Sequence, residues 1–495
     1  MNGRRSFITD CVKYAPAQLV PAFVGLVSIP ILTRLFAPGD YGQYVLVMAT
    51  ISVLTVLGNW LSTAIVRFYP ACENDHRLNE LYSSVIISLI ISLLFLGGLF
   101  VIAVHISFGD LRHFMIIGAI VFALTSTIEV FQGFLQAKRR AIWYSMISVW
   151  RTAAGLAFGI ALVTLFGFGI EGLLWGSALS MALVLPLLWK AAMKEFSRMS
   201  RLSSNLIKEM ARFSFPLVAA NLAAWILSLS DRYIIELFRG AHEVGIYSAS
   251  YAISEKGILM LVSFFLMASR PISMTLWEKE GAHEARYFIS LVTRYYLLVC
   301  VPAVVGLSVL AQPIMSIIAR EEYLEGFRII PFVALGGLLL GLQQRYQEGL
   351  IYFNKTSFVM VAIVVGAGAN VGLNLLFVPK YGYIVAALTT LIGYAILLAM
   401  MVVISRRFFT WKFPFVSLGR SVLASAVMAI AAHVVSNGLT SYPLLNLVAA
   451  VLLGALSYSC MLYLVGEIQP NEKKALKAVI TRLAPSLQFP RIWRR

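Results

Sequence analysis

The sequence predicts an all-α polytopic membrane protein of about fourteen transmembrane helices. Three observations carry this. Of 495 residues, 60% are hydrophobic and only 13% are charged, more apolar surface than a soluble chain of this size can bury. The apolar residues fall in long unbroken runs, and a bilayer core of roughly 30 Å needs about 20 such residues per helix. Short charged loops divide the runs. A barrel is excluded, because its strands alternate polar and apolar residues over about ten positions.

The runs lie at 14–36, 43–66, 82–104, 114–136, 141–165, 171–190, 214–237, 246–268, 288–310, 331–352, 357–378, 383–404, 415–435 and 444–465. The first follows a basic start, MNGRRSFITDCVK, that resembles a signal peptide. Its apolar stretch continues to Phe36 with no small-residue cleavage site, so it reads as a retained span. The net charge of +17 is unevenly placed. With the N-terminus inside, the outer loops hold Arg34, Arg112, Arg239, Arg320, Arg328 and Lys380, and the spans hold Arg151, Arg232, Lys256, Arg294 and Arg345. The remaining 29 of the 40 Lys and Arg residues are cytoplasmic. That bias places both termini in the cytoplasm and makes the positive charge a topology signal, with no nucleic-acid partner expected. Cys11, Cys72, Cys300 and Cys460 show no paired spacing, so neither a disulfide framework nor a metal site is indicated.

The chain repeats itself. LFAPGDYGQY (35–44) resembles LFRGAHEVGIY (237–247), GFLQAKRRA (133–141) resembles GLIYFNKTS (349–357), and FGFGIEGLLWG resembles YGYIVAALTT, all in one order at about 200–216 residues apart. An even number of spans per repeat gives the halves one orientation and a pseudo-two-fold axis along the membrane normal. The predicted organisation is therefore a first lobe at 1–190, a polar cytoplasmic linker at 191–212 and a second lobe at 213–404. Spans thirteen and fourteen follow at 405–465, then a basic tail at 466–495. In the tail, Leu476, Val479, Ile480 and Leu483 recur at helical spacing against lysines, as on a helix lying along the inner membrane surface or in an ordinary solvated tail.

Polar residues within spans are costly, about 2.5–3.5 kcal/mol for a charge even on lenient scales, so they turn toward protein or a wet cavity. In span eight, Ser248, Tyr251, Glu255, Lys256 and Ser263 share an arc of about 140°. Span seven aligns Asn221, Trp225, Ser228 and Arg232. Span four aligns Thr125, Glu129, Gln132 and Gln136, and span ten aligns Gly341, Arg345, Glu348 and Tyr352. Under the repeat Glu129 corresponds to Arg345. Two readings stand side by side: a shared hydrophilic cavity, or clasps in which Glu255 and Lys256 neutralise each other or pair with Asp231 and Arg232. Arg294, near a span end, also has the option of snorkelling to the headgroups. The small residues of GAGANVGLN (366–374) indicate close helix packing. No phosphate-binding G-x-x-x-x-G-K-[ST] loop, H-E-x-x-H motif, Cys/His cluster or nucleophile elbow occurs, and the loops are short. The chain does not read as an enzyme, and no cofactor is expected.

IPILTRLFAPGDYGQYVLV (29–47), Ala64-Ile65-Val66-Arg67-Phe68-Tyr69 and PKYGYIVAAL (379–388) resemble the polysaccharide-transporter flippases of the O-antigen (Wzx) type. These belong to the multidrug/oligosaccharidyl-lipid/polysaccharide exporter superfamily. The resemblance implies two lobes that open alternately to either side of a bacterial inner membrane. It implies undecaprenyl-pyrophosphate-linked oligosaccharide as cargo, with membrane lipids, a polymerase and other glycan-assembly proteins as partners. Such a cargo needs a cationic aqueous cavity, and Arg and Lys suit phosphate. Arg232 and Lys256 are the first choice, with Arg34, Arg151, Arg294 and Arg345 as further cationic candidates; Arg34 and Arg67 also suit a gate or interface. Glu129, Asp231, Glu255 and Glu348 are candidates for an ion relay or for charge partners. Trp225, Tyr251 and Asn221 are candidate sugar contacts. The alternatives are a multidrug cation antiporter, a peptidoglycan-precursor flippase and a non-transporting scaffold of a glycan-assembly complex.

Overall fold

The computed structural model describes residues 2–107, 111–196, 202–438, 442–469 and 472. The amphipathic pattern at 476–483 and part of the 191–212 linker lie outside these. The described chain is helical: α1 Asn2–Leu35, α2 Pro38–Gly58, α3 Trp60–Asn74, α4 Leu78–Ser107, α5 Arg112–Ala137, α6 Ala141–Phe166, α7 Ile170–Ala192 and α8 Ser204–Arg239. There follow α9 Ala241–Lys279, α10 Ala282–Val309, α11 Ala311–Ile318, α12 Ile330–Tyr352, α13 Thr356–Tyr381, α14 Tyr383–Ser405, α15 Phe415–Ser436 and α16 Pro443–Leu464, with a 3-10 turn at Glu321–Ile329 before α12. Among the described residues, fourteen helical stretches are long and apolar enough to cross a membrane. They coincide with the fourteen predicted runs, which makes this a multi-pass membrane protein. The large apolar side chains left exposed along them, such as Leu94, Phe95, Leu165 and Leu452, are the groups that lipid covers.

Span two differs from the prediction in one respect. It is two helices, α2 and α3, separated at Asn59, whose N–H reaches only Val56 O at 3.4 Å. A break at membrane depth is tolerated where it borders a polar cavity, and Asn59 borders two. Helix α8 starts at Ser204, within the polar stretch after span six. Ser203 caps α8 by accepting from Leu206 N, and Leu206 and Met210 are buried in the core built around α3, α4, α5 and α7.

By contacts the chain forms two units. The first comprises residues 1–260 and 318–409, and the second comprises 261–317 and 410–495. In the first, α8 packs against α2, α3, α13 and α14, α1 lies on α6, and α6 lies on α7. The repeated loop motif has a structural meaning there. A Cβ at Gly42 would stand 2.0 Å from Ala241 O, and one at Gly245 would stand 1.9 Å from Pro38 O. The two equivalent loops therefore meet backbone to backbone, an approach only glycine permits.

In the second unit α10 and α15 pack together, as do α15 and α16. Arg294 of α10 is 7% exposed. Its Nε donates to Glu467 Oε1 at 2.7 Å and its Nη1 to Glu472 Oε1 at 2.6 Å. Ser417 and Arg420 of α15 reach the Glu467 carboxylate at 2.6 and 3.1 Å. This cluster ties α10, α15 and the segment after α16 into one clamp.

Two expectations follow. Alanine at Gly42 or Gly245 should destabilise the loop contact by about 1–3 kcal/mol, as overpacking does, and lower the melting temperature of the detergent-purified protein. An unchanged melt would mean that the loops separate without cost. The second concerns acid. Hydrogen bonds from Arg294 first, with Tyr295 assisting, hold Glu472 at about 2. Burial opposes ionisation of Glu467, but hydrogen bonds from Ser417, Arg294 and Arg420 outweigh it and keep the carboxyl below its usual range. Both pKa values are lower folded than unfolded, so the clamp's contribution is complete above about pH 4.5 and is lost as pH falls toward 2. Melting temperature should drop over that window, and less so in Glu472→Gln.

Candidate functional site

Within the first unit two polar cavities adjoin. The larger, about 770 Å³, is lined by α1, α3, α5, α6 and α8, and it displays the amides and hydroxyls of Gln18, Asn59, Thr63, Gln132, Gln136 and Thr152 beside Arg67. The smaller, about 580 Å³, lies among α1, α2, α5, α6, α7 and α9 and is more apolar, with Lys256 as its added cation. Both volumes are typical of ligand pockets, which span about 300–1,000 Å³. The cavities share Asn59, Glu129, Arg151 and Thr152. Along α5 the smaller takes Val121 and Thr125 and the larger takes Gln132 and Gln136, so the chambers succeed one another along the bundle with Glu129 and Arg151 at the waist. All four residues of the span-four polar stripe line these chambers.

The adjacent charges of span eight go to different places, as 100° of helical rotation requires. Lys256 extends into the smaller chamber and donates from Nζ to Gly25 O at 2.7 Å. A Cβ at Gly25 would lie 2.6 Å from that Nζ, so the glycine in span one makes the room. Glu255 turns toward a buried cluster, and the cations acting on it are Arg232 first and then Lys256.

That cluster encloses Arg232, which is 4% exposed, with Asp231 at 1%. Arg232 Nη1 donates to Asp231 Oδ1 at 3.0 Å and to Ser228 O at 2.9 Å. Its guanidinium sits 4.7 Å over the Tyr251 ring and 5.6 Å over Tyr247, cation–π contacts that gain strength when desolvated. The Tyr247 hydroxyl donates to Asp231 Oδ2. Charges, hydroxyl and rings satisfy one another here, and Tyr251 packs on an arginine.

The other candidates are dispersed. Arg345 and Glu348 form an ion pair at 3.0 Å, each 2% exposed, inside α12. Trp225 donates to Ser52 Oγ at 3.1 Å and Thr50 Oγ1 lies 2.7 Å from the Tyr233 hydroxyl, bonds that fasten α8 to α2. Asn221 and Arg34 are exposed, and Arg294 belongs to the clamp of the second unit. Sequence reasoning passed over Gln18, Asn59 and Thr63. The Gly58–Asn59 dipeptide in mid-span was the available signal for the middle one.

These placements give opposite expectations for the two basic residues of spans seven and eight. Arg232→Ala strands a buried carboxylate and should cost about 3–5 kcal/mol, seen as a markedly lower melting temperature. Lys256→Ala removes one cavity hydrogen bond and should melt within about 1 kcal/mol of wild type. Equal melting of the two variants would contradict the burial difference.

The family described as polysaccharide biosynthesis protein matches residues 12–277. The probable low-salt glycan biosynthesis flippase Agl15 of Haloferax volcanii is 22% identical over 469 residues, covering 94% of this chain and 91% of that protein. The succinoglycan biosynthesis transport protein ExoT of Rhizobium meliloti is 23% identical over 321 residues, 62% of each. Among solved structures, the lipid II flippase MurJ in an inward closed conformation has a TM-score of 0.76 at 16% identity, covering 91% of this chain and 98% of that one. An inward-facing multidrug resistance MATE family transporter of the MOP superfamily has 0.64 at 15%, covering 80% and 97%. At such identities the structures establish a shared fold. With over half its length matched, the chain belongs to the polysaccharide biosynthesis protein family.

Proposed function

We propose that this protein is a flippase that moves undecaprenyl-pyrophosphate-linked oligosaccharide from the cytoplasmic to the periplasmic leaflet of a bacterial inner membrane by alternating access. It would serve O-antigen, capsule or exopolysaccharide assembly, alongside a polymerase and other glycan-assembly proteins. The observation that carries this reading is the charge of the cavities: Arg67, Arg151 and Lys256 against one carboxylate, Glu129. A cavity of that sign suits an anion and disfavours the organic cations of a drug antiporter, a distinction that the common fold does not make.

The chemistry divides between the chambers. In the smaller, Lys256 and Arg151 offer a compact charge and a forked donor, the two complementary ways of holding phosphate. In the larger, side-chain amides and hydroxyls present both donors and acceptors, as sugar hydroxyls require, with Tyr144 and Phe213 supplying ring faces. Arg232 keeps spans seven and eight in register. The inward bias of Lys and Arg supports cytoplasmic termini, which puts the amide-rich chamber on the cytoplasmic side, where the glycan arrives.

The test is native mass spectrometry of the purified protein with undecaprenyl-pyrophosphate oligosaccharide. Wild type should bind. Lys256→Ala and Arg67→Ala should each weaken binding at least about tenfold, since a hydrogen bond to a charged group contributes about 1.5–3 kcal/mol, with stability within about 1 kcal/mol of wild type. Binding of an organic cation in place of the lipid would overturn the proposal.

A further inference from the structure

The cavity cations differ in how much of their bonding capacity the protein itself uses. Lys256 spends a hydrogen bond on Gly25 O. Arg151 spends none at Nη1. That nitrogen is sealed from solvent and finds no hydrogen-bond partner among the described residues, although Glu129 Oε1 lies 3.9 Å away. At 3.9 Å the charges attract, yet no hydrogen bond forms.

The frame holds the pair at this separation. Gln132, three residues beyond Glu129 on α5, donates from Nε2 to Ser148 Oγ at 3.0 Å, and Ser148 lies three residues before Arg151 on the antiparallel α6. The bond fastens the two helices one turn from the ion pair, on the same facing sides. Both charged side chains are about a quarter to a third exposed, to the two chambers they divide.

From this geometry we propose that Glu129 is a built-in competitor for Arg151. With the cavity empty it compensates a guanidinium that would otherwise stand unpaired at membrane depth, where a lone charge is costly. When cargo enters, anionic oxygens approach the part of Arg151 that faces the chambers and form the charge-assisted bonds that Glu129, held at 3.9 Å, does not make. When cargo leaves, Glu129 reclaims the charge, so release never exposes a bare cation. A tighter ion pair would shut the cargo out, and no carboxylate at all would trap it. The inference rests on the reading of the cargo as a pyrophosphate-linked glycan. The shared chemistry is an oxyanion, borne either by the pyrophosphate or by an acidic sugar.

The experiment titrates purified full-length protein with two probes, undecaprenyl pyrophosphate lacking glycan and a lipid-free acidic oligosaccharide. Glu129→Gln should tighten binding of one probe about tenfold, the middle of the range over which contacting groups couple, and should slow transport of that lipid in liposomes. The probe that responds identifies the oxyanion. Arg151→Gln should lose binding, and in the double variant the gain from Glu129→Gln should vanish. Glu129→Asp, with a shorter carboxylate, should shift affinity the same way by less, and it serves should the Gln variant not fold. Wild-type binding that Glu129→Gln leaves unchanged or weakens, or a gain that survives loss of Arg151, overturns the competitor role and leaves the flippase reading intact. Failure of wild type to bind either probe overturns both.

Discussion

Hydrocarbon supplies no hydrogen-bond partners, so every polar group at membrane depth in this protein has to be answered by the protein or by water it admits. The helices answer the backbone. The side chains are answered in two different ways, and that difference organises the first unit. Asp231 and Arg232 are buried together, bonded to each other, to the Tyr247 hydroxyl and to Ser228 O, with the guanidinium over the Tyr251 ring. Glu129, Arg151 and Lys256 face polar chambers with capacity left over. The same residue types make a buried clasp in one place and line open chambers in the other, and what separates the two is enclosure.

The same constraint accounts for the irregularities. The break between α2 and α3 at Asn59 is affordable because the polar chambers lie beside it. Gly25 leaves the room that Lys256 needs to reach a backbone carbonyl. Gly42 and Gly245 bring the ends of α2 and α9 into backbone contact, so the repeated loops work as two faces of one junction.

Much of this was legible in the sequence, and the rest was not for identifiable reasons. Continuous apolar runs gave all fourteen spans, since length and hydropathy are local properties. The glycine of each repeated loop was visible as a motif, but not that the two loops touch, because pairing is a long-range fact. The Thr125–Glu129–Gln132–Gln136 stripe was readable from helical pitch and lies on the chambers. Pitch says which residues share a face and nothing about what stands opposite. Arg232 and Lys256 therefore looked alike in sequence, although one is roofed by Tyr251 and the other reaches across to Gly25. Gln18 and Asn59 escaped notice because uncharged amides scarcely disturb an apolar run.

Charge balance also bears on how a transporter of this kind turns over. A cavity that is strongly cationic when empty would bind its cargo well and return poorly, because the unloaded state would carry unpaired charge through the membrane interior. The chambers here hold three basic groups, and two of them are already partly compensated, Lys256 by a carbonyl and Arg151 by a carboxylate just beyond hydrogen-bond reach. Each compensation is weaker than the bond a phosphate would offer. On the flippase reading proposed above, cargo would gain by entering, and the protein would lose little when the cargo leaves. On that reading, affinity and release would be set by the same distances, and the Gln132–Ser148 bond beside the ion pair would be as much a determinant of turnover as the charges it positions.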